Sequence, residues 1–392
     1  MIELVSKDKC TGCMACLQAC PMGCIGQEED VWGNLYPRID YEQCIGCAKC
    51  VKTCPEISLQ NQQFHNIKTA YAVWSLEKQI RDMSTSGGAA AEFYREALLQ
   101  GYYICGVEYT DQFKVIHILS RSEKDICKFQ QSKYVYSEVE DIYKNIKELL
   151  RKEEKILFIS LPCKVSGLLS YLSKKYENLI TVDIVCHGTP SFKQLHEHIL
   201  NIDPEEKGKK LLFRNENEMC FNLLNSDGRR IYKRTGRRDT YLAAFLEGIN
   251  YRKSCYQCKY AQEKRISDIT ICDFWGLGSK FPFNHPYTGA VSAVLINTEK
   301  GNNFFDMCKK RFFFEERPIE EAVLGNAQLR CPTKESFKVD NYRKLYLEKG
   351  FEGSVRKVLK TEMYEDTKKL IKIKLRMSLR KLAGIFIPRY RR

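Results

Sequence analysis

The sequence predicts a chain of three parts: a small α+β module over residues 1–62, an α/β domain with a mixed sheet over residues 63–338, and a basic helical tail over residues 339–392. Three observations lead to this division. Cysteines repeat in two matching strings near the start, apolar strand patterns alternate with helix patterns in the middle, and positive charge accumulates at the end. A chain of 392 residues is expected to form two or three domains.

The composition indicates a globular protein. Hydrophobic residues make up 44% of the chain and aromatic residues 11%, which is enough for a sizeable core, and no apolar run is as long as a membrane span. The 19 cysteines occur without a recognisable secretory signal after Met1. We therefore expect metal ligation rather than disulfides, in a cytoplasmic protein that can also lie at the inner face of the membrane.

The first module is defined by two cysteine strings of the form C-x2-C-x2-C-x3-C-P. They run from Cys10 to Pro21 and from Cys44 to Pro55, with equivalent cysteines 34 residues apart. This run holds [4Fe–4S] clusters in bacterial two-cluster ferredoxins. Gly12 and Gly46 suit the tight loops that such a spacing requires, because glycine enters backbone conformations that other residues avoid. The module is therefore expected to be a ferredoxin-like dicluster domain.

The fourth cysteine of each string is expected to bind the other string's cluster, as it does in two-cluster ferredoxins. The predicted ligand sets are Cys10, Cys13, Cys16 and Cys54 for one cluster, and Cys44, Cys47, Cys50 and Cys20 for the second. A zinc site, the main alternative, more often uses two C-x2-C pairs than a doubled four-cysteine run. Cys24 lies just outside the first string and is expected to take no part.

The middle of the chain alternates strand and helix patterns. Residues 155–160 and 179–185 read as apolar strands with helices after them, which predicts parallel pairing. Earlier, the segment Ser86-Gly87-Gly88 precedes an Ala-rich helix, with Ser86 as the expected N-cap. Backbone amides at such a helix start can bind a phosphate, but spacing alone favours the alternative of an ordinary capped helix.

A second group of cysteines is predicted at the carboxyl ends of these strands. Cys163 and Cys186 each follow a strand, where ligands of α/β sheets gather. With Cys255 and Cys258 of a C-x2-C pair, they make four ligands, enough for a third [4Fe–4S] cluster. The alternative is that Cys163 and Cys186 are small buried residues. That alternative is the prediction for the remaining six cysteines: Cys105, Cys127, Cys220, Cys272, Cys308 and Cys331.

Five motifs occur in order: 86–88 (SGG), 132–135 (SKYV), 161–164 (LPCK), 185–188 (VCHG) and 268–276 (DITICDFWG). With the cysteine strings, they make residues 1–335 resemble the coenzyme F420 hydrogenase/dehydrogenase beta-subunit family. The resemblance implies a flavoprotein that carries FAD and [4Fe–4S] clusters, and it favours the third cluster.

The same resemblance implies FAD phosphate contacts near Ser86, Gly87 and Gly88, and places Lys133 and Tyr134 near the flavin. Cys272 departs from the family pattern, which more often has glycine there, so the ligand set of the third cluster stays open. No F420-binding patch can be identified, and some members of the family are encoded beside polysaccharide-assembly enzymes.

His187 follows a predicted ligand and is a candidate general acid for a substrate reduced at the flavin. A histidine has a pKa in the neutral range, which suits proton transfer. A purely local hydrogen-bonding role is the alternative.

The tail contains much of the net charge of +14. From Arg343 to Arg392 there are 16 Lys and Arg against five Asp and Glu. Apolar residues recur at helical spacing between many cations, as Ile371, Leu375, Leu379, Leu382 and Phe386. Such a helix can lie on an anionic membrane, with Arg389, Arg391 and Arg392 near the headgroups, or dock on the protein's own body or an acidic partner. Nucleic acid is not expected.

Together these features predict an iron–sulfur flavoprotein oxidoreductase. Electrons would enter at the N-terminal clusters, pass a third cluster and reach FAD, which would serve a soluble substrate. The alternative is a non-catalytic electron-transfer subunit that serves a partner enzyme, for example in polysaccharide assembly.

Overall fold

The N-terminal module is a pair of short helices beside a hairpin in the computed structural model, which describes residues 2–58, 63–215 and 218–382. Its elements are α1 (Ala15–Ala19), β1 (Ile25–Glu29), β2 (Leu35–Ile39) and α2 (Lys49–Thr53). Each helix follows a residue in the left-handed conformation, Met14 or Ala48, and ends at the fourth cysteine of its string. The two cysteine strings therefore have the same local backbone structure, so the sequence repeat is also a structural repeat.

The rest of the described chain builds a nine-stranded and a three-stranded sheet. The strands are β3 (Thr69–Ser75), β4 (Tyr103–Tyr109), β5 (Val115–Ser120), β6 (Ser137–Glu138), β7 (Ile156–Ser160), β8 (Leu179–Ile184), β9 (Lys210–Asn215), β10 (Glu218–Leu224), β11 (Arg230–Thr235), β12 (Ile269–Asp273), β13 (Ser292–Ile296) and β14 (Phe312–Arg317).

Helices cover the sheets and end the described chain. They are α3 (Lys78–Met83), α4 (Ala89–Leu99), α5 (Ile126–Phe129), α6 (Ile142–Arg151), α7 (Pro162–Leu172), α8 (Phe192–Ile202), α9 (Thr240–Leu246), α10 (Glu299–Cys308), α11 (Ile319–Gly325), α12 (Lys338–Val358) and α13 (Lys360–Leu382).

The large sheet is mixed, in the order β14-β3-β13-β12-β8-β7-β4-β5-β6. Strands β12, β8, β7 and β4 are parallel, which confirms the parallel pairing predicted for β7 and β8. Strand β3 runs in the same direction as β12, since both are antiparallel to β13. The carboxyl ends of β3, β7, β8 and β12 therefore meet at one edge of the sheet, called the carboxyl edge below.

Alternation along β7 explains how both faces of the sheet are filled. Leu157 and Ile159 point to a core shared with α4 and α10, whereas Ile156 and Phe158 point to a core shared with α6 and α7. All five residues of β7 are buried, as expected for a parallel strand covered on both faces. The second core also contains Cys13, Met14 and Ala15, so the N-terminal module packs directly on the domain.

Two helix boundaries differ from the sequence prediction. Helix α4 begins after Gly88, which has φ 91° and is the N-cap, so the expectation of Ser86 in that role was wrong. Ser86 instead donates to the carbonyl of Val291 at 3.2 Å. The sequence pattern predicts a second helix from Asp239 to Asn250, but α9 extends only from Thr240 to Leu246, with Asp239 as its N-cap.

The segment predicted as the tail has two different environments. Helix α12 packs Tyr342, Tyr346, Phe351 and Val355 into a core with α8, α9 and the three-stranded sheet. Helix α13 leaves Ile371 and Leu375 exposed, and the predicted contacts of Phe386, Arg389, Arg391 and Arg392 lie outside the described residues. Within the described ranges, no helix combines the length and apolar character needed to cross a membrane.

Candidate functional site

The first predicted ligand set, Cys10, Cys13, Cys16 and Cys54, is brought together between α1 and α2, and all four residues are buried. Burial raises the pKa of Cys16, and the neighbouring thiols Cys13, Cys10 and Cys54 raise it further. Burial and Cys13 likewise raise the pKa of Cys54 to about 12. Neutral thiols crowded in this way must lose their protons when they bind iron, as metal-binding thiols do.

The second set, Cys20, Cys44, Cys47 and Cys50, lines a small half-open cavity at the far end of the module. Cys47 is exposed and Cys20 and Cys44 are partly exposed, so this set is closer to solvent than the first. Cys24 lines the same cavity, with its Sγ 3.3 Å from that of Cys20. Cys24 therefore lies beside the second set, and its expected lack of a role in ligation stays a prediction.

The loop of the first set is fixed by donors from the large domain. The carbonyl of Gly12 accepts hydrogen bonds from Tyr136 Oη at 2.6 Å and Lys164 Nζ at 2.7 Å, and the carbonyl of Cys10 accepts one from Ser254 Oγ at 3.0 Å. A Cβ at Gly12 would lie 2.9 Å from the guanidinium of Arg252, whereas one at Gly46 would meet open space. The loop at Gly12 is thus held by side chains of the large domain, whereas the equivalent position in the second string, Gly46, has open space around it.

The third predicted set lies at the carboxyl edge. Cys163 is in the first turn of α7, Cys186 follows β8, and Cys255 and Cys258 come from the loop after α9. All four line one cavity of about 570 Å³, part of which is open to solvent. Burial, followed by the proximity of Cys255, Cys163 and Cys258, raises the pKa of Cys186 well above its usual value.

Cys272 does not join this group. It lies on β12, is not part of the cavity lining, and has its pKa raised mainly by burial and by Asp273. Of the six cysteines predicted to be buried, Cys105, Cys220 and Cys308 are buried, but the prediction was wrong for Cys127 and Cys331, which are exposed.

The two segments that the resemblance places near a flavin are joined at the same edge. Ser132 Oγ donates to Thr85 Oγ1 at 3.0 Å, and Gln130 Nε2 donates to Ser84 Oγ at 3.2 Å. Gly87 fits tightly against the sheet, because a Cβ there would lie 2.2 Å from the carbonyl oxygen of Val73. Residues 86–88 and 133–134 are thus linked through their chain neighbours, and the two segments are called the wall below.

Lys133 and Tyr134 have distinct surroundings in this wall. Lys133 Nζ donates to the carbonyls of Lys128 and Gln130 at 2.9 and 3.0 Å, and burial lowers its pKa to about 7. The ring of Tyr134 lies 4.6 Å from that of Phe245, and the His187 ring lies 6.3 Å from Phe245 on the side of the third cavity.

His187 lines the third cavity with an exposed ring. Desolvation against the cavity wall lowers its pKa, so the ring is largely neutral near pH 7. In that state it accepts a proton more readily than it donates one. Its general-acid role stays a prediction.

A buried ion pair beside Tyr134 was missed at the sequence level. Arg214 of β9 donates through Nη1 to Asp273 Oδ2 at 2.6 Å, and the guanidinium lies 5.6 Å from the ring of Trp275. Arg214 Nε and Asp273 Oδ1 are buried without a hydrogen-bond partner among the described residues. A charged residue inside an apolar strand was the available signal for Arg214. Its pairing with Asp273 joins two sheets and cannot be read from either segment alone.

These donor sets fit the groups that the sequence implies. Within the described residues, no three His, Cys, Asp or Glu side chains converge on a single metal ion, whereas a cubane cluster spaces its four ligands around four irons. Thiols in groups of four match that requirement. The wall of residues 86–88 and 133–134, with unpartnered polar atoms at Arg214 and Asp273, leaves donors and acceptors for a polar planar cofactor.

A dicluster thiol module docked on an α/β sheet defines an iron–sulfur protein of the electron-transfer class. Residues 9–57 and 36–83 each match a family described as a 4Fe-4S dicluster domain. Residues 153–322, within the large domain, match the family described as the C terminus of the coenzyme F420 hydrogenase/dehydrogenase beta subunit. The resemblance that the sequence motifs indicated is therefore confirmed for residues 153–322.

One solved structure to which the chain is similar is from the F420-reducing [NiFe] hydrogenase complex of Methanosarcina barkeri. The two chains are 19% identical, with a TM-score of 0.46, and the match covers 76% of this chain and 94% of that one. No curated protein matches the chain significantly.

Proposed function

We propose that this protein is an iron–sulfur flavoprotein oxidoreductase with three [4Fe–4S] clusters and FAD. The observation that carries the proposal is the order of the sites. The second set is the more exposed of the two N-terminal sets, and the buried first set packs on α7, whose first turn contains Cys163 of the third cavity. That cavity shares the carboxyl edge with the wall of residues 86–88 and 133–134. A relay of one-electron centres ending at a two-electron centre requires such an order.

The third cluster would be held by Cys163, Cys186, Cys255 and Cys258. Their convergence on one cavity supports this ligand set over one that includes Cys272. Thr189 Oγ1 lies 3.9 Å from Cys255 Sγ and is placed to form a weak hydrogen bond with that sulfur. Hydrogen bonds to ligand sulfurs are one means by which a protein adjusts cluster potentials.

FAD would be held by the wall at the carboxyl edge. When bound, a flavin accepts electrons singly and passes them on as a pair. The N-terminus of α4 would offer backbone amides to a phosphate, the half-buried ring of Tyr134 would offer aromatic surface, and Lys133 holds a proton that a pKa of about 7 makes exchangeable near neutrality. A soluble substrate would approach this wall from solvent, and His187 would stand between it and the third cavity.

A second candidate function is an electron-transfer subunit that passes electrons to a partner enzyme. The exposed position of Cys47 favours docking of a redox partner at the second set. Anaerobic purification separates the two functions. Retained flavin that bleaches when a substrate is added supports the oxidoreductase. A chain with iron and sulfide but no flavin, even after supplementation with FAD, supports the electron-transfer subunit and overturns the first proposal.

We also propose a cytoplasmic location with contact to an anionic membrane through α13. Exposed Ile371 and Leu375 lie among the exposed cations Lys368, Lys369 and Lys372. The start of α13 packs on the turn after β11, where Asp366 Oδ2 accepts a hydrogen bond from the Arg237 amide at 3.2 Å. This places exposed Arg229, Arg230 and Arg234 on the element that supports the helix.

A further inference from the structure

Two cations are buried against the loop of the first set without a carboxylate partner. Lys164 is 1% exposed and Arg252 is 2% exposed. Neither forms an ion pair with any residue in the part of the chain that the structure describes. Buried charges are normally paired or bound to a metal centre, because an isolated charge loses its hydration. These two side chains therefore need a negative charge close by.

Both cations point at the backbone between Cys10 and Cys13. Lys164 Nζ donates to the Gly12 carbonyl at 2.7 Å and lies 4.1 Å from the centre of the Tyr136 ring. Arg252 lies between the rings of Tyr36 and Tyr136, at 4.7 and 5.3 Å. Its Nη2 donates to the Leu35 carbonyl at 2.8 Å and its Nη1 to the Cys10 carbonyl at 3.5 Å, and its buried Nε has no hydrogen-bond partner among the described residues.

The same residues border the third cavity. Lys164 directly follows Cys163, and the carbonyl of Arg252 accepts a hydrogen bond from the Cys255 amide at 2.9 Å. The two cations thus stand between the first and third sets. By contrast, the lysines nearest in sequence to the second set, Lys49 and Lys52, are exposed, so water and salt screen their charge.

We propose that Lys164 and Arg252 are the counter-charges of the first-set cluster and raise its reduction potential above that of the second-set cluster. This inference rests on the proposed function. A cluster held by four thiolates is anionic, and reduction adds one more negative charge, which nearby buried cations stabilise. One electron leaves the second-set cluster, which is oxidised, and enters the first-set cluster, which is reduced. Electrons from a one-electron donor at the exposed set are thereby drawn inward.

The test is an anaerobic redox titration of the full chain with dithionite, followed by electron paramagnetic resonance. Cys47→Ser identifies the second-set signal. We expect Arg252→Gln to shift the electron distribution between the two clusters at least tenfold toward the second set, about 59 mV for a one-electron couple. Arg38→Gln removes an exposed arginine of the same module and should leave the distribution unchanged.

The conservative variant Arg252→Lys separates charge from packing. A distribution close to that of the wild type supports the counter-charge, and a shift as large as that of Arg252→Gln overturns it. If Arg252→Gln and Lys164→Gln both lose iron, retention of iron by Arg252→Lys supports the proposal, and loss in all three overturns it. If Arg252→Gln keeps all of its iron and its cluster potentials are unchanged, this inference is overturned but the proposed function is not. The proposed function fails only if the wild-type protein lacks the clusters or the flavin.

Discussion

Cys13 and Gly167 are in direct contact across the boundary between the dicluster module and the α/β domain. A Cβ added to Gly167 would lie 2.9 Å from the Cβ of Cys13 and 3.2 Å from its Sγ. Gly167 is in α7, the helix whose first turn contains Cys163. The absence of a side chain at one position therefore allows the first and third cysteine sets to approach each other.

We expect Gly167→Ala to loosen this contact. The added methyl group would also lie 2.9 Å from Tyr143 Oη, whose hydroxyl is fixed by the Lys164 carbonyl at 2.9 Å, so neither neighbour can move freely. Overpacking of this kind costs about 1–3 kcal/mol. Iron content and thermal unfolding measure the effect. Gly26→Ala, where an added Cβ meets open space, is the control, and equal behaviour of the two variants would contradict the prediction.

If the third set binds a cluster, substitution of its cysteines should remove the iron of that cluster alone. We expect Cys163→Ser and Cys186→Ser each to lower the iron content from about twelve to about eight per chain, since one of three clusters is lost. The two N-terminal signals in electron paramagnetic resonance should remain. Cys331→Ser changes an exposed cysteine and should keep all of the iron. A wild-type content of about eight would remove the third cluster altogether.

The wall at the carboxyl edge predicts a flavin defect without an iron defect. We expect Gly87→Ala to abolish flavin retention, because its Cβ would collide with the Val73 carbonyl and displace the start of α4 from β3. Flavin is measured by fluorescence after denaturation, with iron measured in parallel. Gly101→Ala, at the far end of α4, has a positive φ but open space and controls for helix stability. Unchanged flavin content in Gly87→Ala would count against this wall as the binding site.

The cysteine sets and the central strands could be predicted from the sequence, whereas the buried cations beside the first set could not, and the difference has physical causes. The spacing of the cysteines predicts cluster ligation because the geometry of a cluster requires that spacing. The apolar runs of β7 and β8 predict strands that are buried on both faces. The buried cations could not be predicted. Lys164 follows Cys163 like any polar residue of a helix start, and its bond to Gly12 spans 152 positions. Ser86 is not the N-cap because its hydroxyl forms hydrogen bonds with Val291 and Ser292 at the start of β13. Tertiary packing here overrides the local preference of serine for the N-cap position.

A buried histidine predicts how stability depends on pH. His198 of α8 lies between Asp239, at 3.0 Å from Nε2, and Glu352 of α12. Burial alone would lower its pKa, but the two carboxylates raise it from 6.5 to about 9. The protonated form therefore stabilises the fold fully below about pH 6.5, and this contribution is lost as the pH rises through 9.

We expect the free energy of unfolding to fall by on the order of 3 kcal/mol across that window, from the size of the pKa shift. Urea unfolding at several pH values measures it. His198→Asn should lack this fall, because no proton is released there. His196→Gln, on the same helix but outside the pair of carboxylates, should retain it, and a flat profile in the wild type would contradict the assignment.

Helix α13 predicts binding to anionic membranes. We expect the full chain to sediment with vesicles that contain phosphatidylserine, and to be released by salt, because cations and exposed apolar side chains act together. Deletion of residues 368–392 should abolish binding. Replacing Ile371 and Leu375 by serine should weaken it while keeping every charge, which distinguishes insertion from simple attraction. Undiminished binding of the deletion variant would exclude the helix as the anchor, and binding to neutral vesicles that equals binding to anionic ones would exclude a role for its lysines.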